Sequence, residues 1–372
     1  MNLLLSLLIA VSTALAAPAQ VPRPDTLVSP EMQADRRVTF RVRAPKAAEV
    51  GLGGDWMTPN TTQPMTRDGQ GVWSLTVGPL EPGLAIYAFT IDGVTTPDPV
   101  NPRIKLRART SASLVDVPGN PPELWEARDG PHGSVEVNWH KSSVTGDTRA
   151  YHVYTPPGYD PARRTRYPVL FLLHGNNDTA SGWTDVGKAN FIFDNLIAEK
   201  RAVPMIVVMP WGHALPYTGP QSNNTALVER YLVDEVMPLV EKNYRVAGGR
   251  ENRAIVGLSM GGGHALHIGL SHLDRFSAVA AFSSAIPPNF ETRFQPLLDD
   301  PQGTNKKLKL LWIGCGRQDG AFERNQKLSE LLTTRGVRNT FHPTEGLHNF
   351  AIWRKYLVEV APLLFRKDGK AH

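Results

Sequence analysis

The chain reads as a small all-β sandwich followed by an α/β domain built on a mostly parallel sheet with flanking helices. Three observations predict this. Short alternating strands punctuated by Gly and Pro occupy residues 28–118. A proline-rich break, Pro118-Gly119-Asn120-Pro121-Pro122, follows. From about residue 131 continuous apolar runs alternate with helical stretches up to about residue 368. With 372 residues the chain exceeds one ordinary domain and suits two.

The elements follow in order. Met1 to Ala17 is an apolar run ending in Ala14-Leu15-Ala16, a small-x-small cleavage pattern, and is expected to be a signal peptide. It has no Lys or Arg, so its positive charge is the α-amino group alone. No later stretch has the ~20 apolar residues that span a bilayer, so no membrane association is expected once the leader is cleaved. Within 28–118, Val38-Thr39-Phe40-Arg41-Val42 alternates, and Val72 to Val77 alternates after the Asp68-Gly69 turn. The strand Ala85 to Ile91 runs into Asp92-Gly93, a strong hairpin signal. Residues 119–130 are expected to form an extended, semi-rigid linker, because stacked prolines favour that conformation.

In the second domain Tyr167 to Leu173 is apolar throughout, as a strand buried on both faces of a parallel sheet should be. Met205–Met209, Ala254–Gly257, Ala278–Phe282 and Leu308–Ile313 read the same way. Helices are expected over Ala226–Tyr244, with Leu227, Tyr231, Val236 and Leu239 on its apolar stripe, and over Glu323–Arg335, closed by Gly336. This is the alternation of a doubly wound fold.

Composition narrows the function. The chain is 41% hydrophobic and 20% charged, with a net charge of +5 and no Lys/Arg-rich run, so nucleic acid is not an expected partner. A single cysteine, Cys315, makes an intrachain disulfide impossible and excludes a four-cysteine zinc site. It lies in an apolar run and is expected to be a buried small hydrophobe. An exported chain without disulfides suits a bacterial periplasm or culture fluid. Oligomeric state is not legible.

The chemistry centres on Gly257-Leu258-Ser259-Met260-Gly261. Arg253 to Val256 precedes it as a strand, and Gly262-Gly263-His264-Ala265-Leu266 follows as the start of a helix. A strand turning directly into a helix strains the serine backbone and leaves little room around it. Small residues two places either side permit the close approach and leave Oγ exposed at the sheet edge. In the α/β-hydrolase fold the acid and then the histidine follow the serine in the chain. Asp319 follows strand Leu308–Ile313, in the loop Gly314 to Gly320, and His348 sits on a loop before the last helix. Ser259 is therefore the expected nucleophile, His348 the general base and Asp319 the acid that orients it, with Glu345, Asp299 and Asp300 as other acids in this half. Oxyanion donors are expected from the Met260 amide and, after the first buried strand, from the Asn176 amide in His174-Gly175-Asn176. His174 itself reads as a structural loop histidine.

Gly175, Trp211 and Trp353 are expected to touch substrate. The loops Trp211–Tyr217 and Ala285–Phe290 leave the same sheet edge and are expected as pocket walls. His264, His267 and His272 follow the serine on one helix. No carboxylate has matching spacing, so no metal is expected there, and no cofactor is needed.

These motifs carry a resemblance. Leu172-Leu173-His174-Gly175, Gly182-Trp183, Gly257 to Gly263, Gly316-Arg317-Gln318-Asp319 and His348 to Trp353 together resemble carbohydrate esterase family 1. That family groups feruloyl and acetyl xylan esterases with enterochelin-esterase-like and esterase-D-like proteins. Gly53, Asp55 and Trp56, Gly71-Val72-Trp73 and Tyr87 to Gly93 resemble family 48 carbohydrate-binding modules. The resemblance implies an acylated polysaccharide or oligosaccharide substrate, xylan in particular, with ferulate or acetate as the acyl group. A siderophore esterase, an acyltransferase and a carbohydrate-binding protein with an inactive hydrolase body are the rival readings. Trp56, Trp73 and Tyr87 suit either sugar stacking or a sandwich core. Deleting residues 18–118 is expected to hurt polymer hydrolysis more than hydrolysis of a small ester.

Overall fold

A computed structural model describes residues 26–108, 110–216, 224–287 and 289–366. The expected leader, Tyr217 and Pro288 lie outside the described residues. Among the described residues no helix is long and apolar enough to cross a membrane.

The first domain is the expected sandwich. One sheet runs Glu31–Met32, Val38–Arg43, Val72–Val77 and Thr66–Arg67. The other runs Gln63–Pro64, Val50–Gly54, Gly83–Ile91, Ala112–Val117 and Ile104–Lys105, with Val94–Thr96 also on Gly83–Ile91. Asp92 and Gly93, at φ +46° and +83°, make the hairpin turn that pairs Ile91 with Val94. Phe40, Leu52, Trp73, Tyr87, Phe89, Val115 and Val117 fill the space between the sheets. Trp73 and Tyr87 are therefore core, and Trp56 stacks on Phe40 at 5.7 Å.

The second domain carries an eight-stranded sheet. In chain order its strands are β1 (Ser134–Lys141), β2 (Thr148–Thr155), β3 (Val169–Leu173), β4 (Ile206–Pro210), β5 (Arg253–Leu258), β6 (Ala278–Phe282), β7 (Leu310–Gly316) and β8 (Thr340–Thr344). The spatial order is β1-β2-β4-β3-β5-β6-β7-β8. β1, β2 and β4 pair antiparallel in succession, and every other pairing is parallel. β3, β4 and β6 are buried at every residue, which accounts for their unbroken apolar sequences. The helix expected over Ala226–Tyr244 is present but not uniform: a π-helical segment, Tyr231–Val236, separates Asn224–Arg230 from Met237–Asn243.

The junction of the domains differs from the expected linker. Gly119 and Glu123 both donate backbone N–H groups to the Glu126 carboxylate, folding residues 119–126 back on themselves. Trp125 is buried with Leu84, Ile86, Ala112 and Leu114 of the sandwich and Trp183, Phe350 and Ile352 of the α/β domain. Asn195 ties the segment down by donating to the carbonyls of Leu124 and Glu126. The six-stranded sheet is thus covered on both faces, with Tyr87 and Phe89 facing the sandwich core and Leu84 and Ile86 the second domain. Prolines set the local backbone, and the apolar side chains between them decide where it packs.

Candidate active site

Ser259 sits between β5 and the helix Met260–Ser271 at φ +53°, ψ −118°, a conformation costly for any residue with a Cβ. Backbone bonds hold it there: its N–H donates to Phe282 O at 2.8 Å, and its carbonyl accepts from Gly263 and Ala285. The flanking glycines are required by close approach. A Cβ on Gly257 would stand 2.1 Å from Gly261 O, and one on Gly261 would stand 2.4 Å from His174 O.

His348 bridges the other two expected groups. Its Nε2 lies 2.9 Å from Ser259 Oγ, and its Nδ1 lies 2.8 Å from Asp319 Oδ2. Burial alone would raise the Asp319 carboxyl, but hydrogen bonds with His348, the Ala321 amide and the Ser283 hydroxyl outweigh it and hold the group below the ordinary carboxylate range. Asp319 therefore stays ionised beside the imidazole. Glu345 instead accepts from Gln318, on the exposed outside of the loop.

Two supporting residues escaped the sequence reading. Ser283, at φ +46° after β6, accepts from Trp353 Nε1 at 3.0 Å and helps to hold the Asp319 carboxyl low. Asn349 donates to the backbone carbonyl of Asp55 in the sandwich at 2.9 Å. A positive φ in a non-glycine residue is not readable from sequence, and neither is a bond spanning 294 residues.

Gly175 packs against Ser259: a Cβ there would lie 2.7 Å from Leu258 Cδ1 and 3.5 Å from Ser259 Cβ. His174 is buried and structural, as expected. Its Nδ1 bonds Gly175 O, and its Nε2 accepts from Gly212 N, both at 2.8 Å, tying the loop after β3 to the loop after β4. The His213 ring packs against His174 at 5.6 Å.

A cavity of about 700 Å³ opens above Ser259. Gly175, Asn176, Asn177, His348 and Trp353 line it from the α/β domain, and Gly53 to Asp55, Thr58 to Thr62, Lys105 and Arg107 line it from the sandwich. Trp353 packs edge-on to His348 at 4.9 Å. Trp211, expected as a pocket wall, is not among the lining residues. The Gly212–His174 bond draws its loop inward, and the indole lies against His174 instead. Ile286 and Phe290, also expected as walls, line a separate surface cavity with Arg324 and Leu331.

The sandwich reaches the loop after β3 through Lys105. This side chain forms an almost fully buried ion pair with Asp178 and lies 5.1 Å over the Phe350 ring. On the far side of the elbow helix, Glu229 accepts from both His267 and His272. Its distance in sequence hid it from a reading by spacing. The Arg293 guanidinium, 2.9 Å from His267 Nε2, occupies the side where a cation would approach. Among the described residues no cluster of three His, Cys, Asp or Glu is arranged to hold a metal.

The sheet order and the strand–serine–helix turn define an α/β-hydrolase architecture. Family comparison places the chain more closely: residues 142–364 match the esterase family model, and residues 28–105 match carbohydrate-binding module 48, the isoamylase N-terminal domain. The chain belongs to the esterase family, a family of carboxylic ester hydrolases. It is 32% identical over 349 residues to an endo-1,4-β-xylanase/feruloyl esterase of Xylanibacter ruminicola, covering 91% of this chain. It spans only 46% of that relative's length. A CE1 ferulic acid esterase from Anaeromyces mucronatus, solved with ferulic acid, superposes with a TM-score of 0.57 at 23% identity, over 64% of this chain and 93% of its own. An enterobactin esterase from Shigella flexneri superposes with a TM-score of 0.65 at 19% identity, over 88% of this chain and 92% of its own.

Proposed function

We propose that the protein is an exported serine esterase that removes feruloyl or acetyl groups from xylan or its oligosaccharides. The observation that carries this reading is the continuous Ser259–His348–Asp319 hydrogen-bond chain at the mouth of a cavity large enough for a sugar ester. Similarity over nearly the whole chain to a xylanase/feruloyl esterase supports the choice of substrate.

In this mechanism His348 takes the Ser259 proton as Oγ attacks the ester carbonyl. The imidazolium so formed is stabilised by Asp319, which also fixes the tautomer. The Met260 and Asn176 amides hold the oxyanion, Met260 at a helix N-terminus and Asn176 beside Gly175. The imidazolium of His348 then gives its proton to the departing sugar oxygen, which leaves as a hydroxyl, and water, activated by the same imidazole, releases the acid. Trp353 and Gly175 confine the acyl group next to Ser259. No cofactor enters these steps. The apolar leader with its small-x-small site supports export to the periplasm or medium.

A siderophore esterase is a second reading, favoured by the overlap of both domains with the enterobactin enzyme. Side-by-side assays decide between them. Methyl ferulate, acetylated xylan and 4-nitrophenyl acetate should all be hydrolysed, and Ser259→Ala should abolish each activity. Hydrolysis of a tricatechol lactone with none of methyl ferulate or acetylated xylan would overturn the xylan reading.

A further inference from the structure

Among the described residues two full cations line the cavity over Ser259, and both come from the sandwich. Lys105 is engaged by Asp178 and by the Phe350 ring. Arg107 is placed differently. Among the described residues it has no carboxylate within 4 Å and donates no hydrogen bond. Only the longer-range pull of Asp178 and Asp55 acts on it, against a burial that disfavours its charge. The nearby acids do not complete its fork. Asp178 is held by Lys105, and Asp55 acts on Arg107 only through its charge, with no ion pair or hydrogen bond between them. A guanidinium presents five donors in a planar fork matched to a carboxylate. Leaving it half-desolvated and unpaired is unfavourable unless a ligand completes it. Around it the wall is polar, with Thr58, Asn60, Thr62, Thr90 and Thr95 offering hydroxyl and amide groups.

We propose that Arg107 is a specificity-determining residue that receives a carboxylate carried by the substrate. The preferred ester is then one attached to, or containing, an acidic group. This rests on the esterase reading above and adds the charge of the substrate to it. The carboxylate could belong to a uronic acid on the sugar side or to a half-ester of a dicarboxylic acid on the acyl side. Both present the same fork to Arg107.

The test uses the full chain and two matched substrate pairs. One pair is acetylated xylo-oligosaccharide with and without a glucuronic acid branch. The other is 4-nitrophenyl hemisuccinate against 4-nitrophenyl acetate. The readout is the ratio of kcat/KM, charged over neutral. In the wild type this ratio should exceed one for at least one pair and fall as salt rises. Arg107→Gln should lower it about tenfold, chiefly through KM, as expected for loss of a charge-assisted pair. Arg107→Lys should retain part of it and serves as the folding control. A response in the first pair places the acid on the sugar, and a response in the second places it on the acyl group. A wild-type ratio at or below one for both pairs, or a ratio that Arg107→Gln leaves unchanged, overturns the proposal. Absence of Ser259-dependent hydrolysis of 4-nitrophenyl acetate would instead sink the esterase reading itself.

Discussion

Replacing Lys105 with methionine should damage the proposed catalytic centre, even though Lys105 belongs to the other domain. The side chains of Lys105 and Asp178 are only 7% and 6% exposed, so the substitution strands a carboxylate where water cannot solvate it. Breaking one side of such a pair costs about 3–5 kcal/mol. Asp178 ends the turn that begins at Gly175, through its N–H to Gly175 O, so the strain falls on the loop lying against Ser259. A displacement of about 1 Å near reacting groups can cost on the order of a hundredfold in rate. The expected result is a melting temperature lower by several degrees and a loss of tenfold or more on 4-nitrophenyl acetate and acetylated xylan alike. Lys105→Met combined with Asp178→Leu should recover most of the stability, because an apolar pair of similar volume is often as stable as a buried ion pair. If Lys105→Met slowed only the polymer reaction and left melting and the small ester untouched, the sandwich would be a substrate grip and not part of the site. The same logic revises the expectation for deleting residues 18–118. Removing Leu84, Ile86, Ala112 and Leu114 uncovers Trp125, Phe350 and Ile352, so stability and both activities should fall together.

Ser259→Ala and His348→Ala should each reduce ester hydrolysis by on the order of 10³-fold or more in initial-rate assays, and a tenth of wild-type activity surviving in either would refute the assignment. Asp319→Asn should cost up to about 10⁴ in kcat with the fold intact by circular dichroism, since the amide favours the wrong imidazole tautomer. Ser283→Ala removes the hydrogen bond from Trp353 and a polar group that helps to keep Asp319 ionised, so kcat should drop about tenfold with KM little changed; equal changes in both would mark a role in binding. Asp55→Asn addresses pH. The folded carboxyl titrates at about 6 against an ordinary value of 3.8, so its ionisation disfavours the fold above pH 6, and that cost fades as pH falls towards 3.8. The variant should therefore melt higher than wild type at pH 8, by up to about 3 kcal/mol less what partial exposure screens, with the two converging near pH 4.

The parts of the site legible in the sequence are those fixed by local geometry. Gly257 and Gly261 are demanded by backbone within a few residues of Ser259, and Asp319 and His348 each follow a strand whose direction the parallel sheet dictates. What the sequence concealed depends on pairs brought together from far apart. Lys105 meets Asp178 across 73 positions and two domains, and Glu229 meets His267 and His272 from another helix, so no spacing rule could find either. One further signal was present and went unread. A sandwich strand with one solvated face should alternate, yet Leu84-Ala85-Ile86-Tyr87-Ala88-Phe89 is apolar at every position. Only a sheet covered on both sides needs that pattern. The cover is the α/β domain itself, which places the sandwich loops in the wall of the cavity over Ser259. The continuous apolar run in a module that could have stood alone is thus the sequence's own statement that it does not.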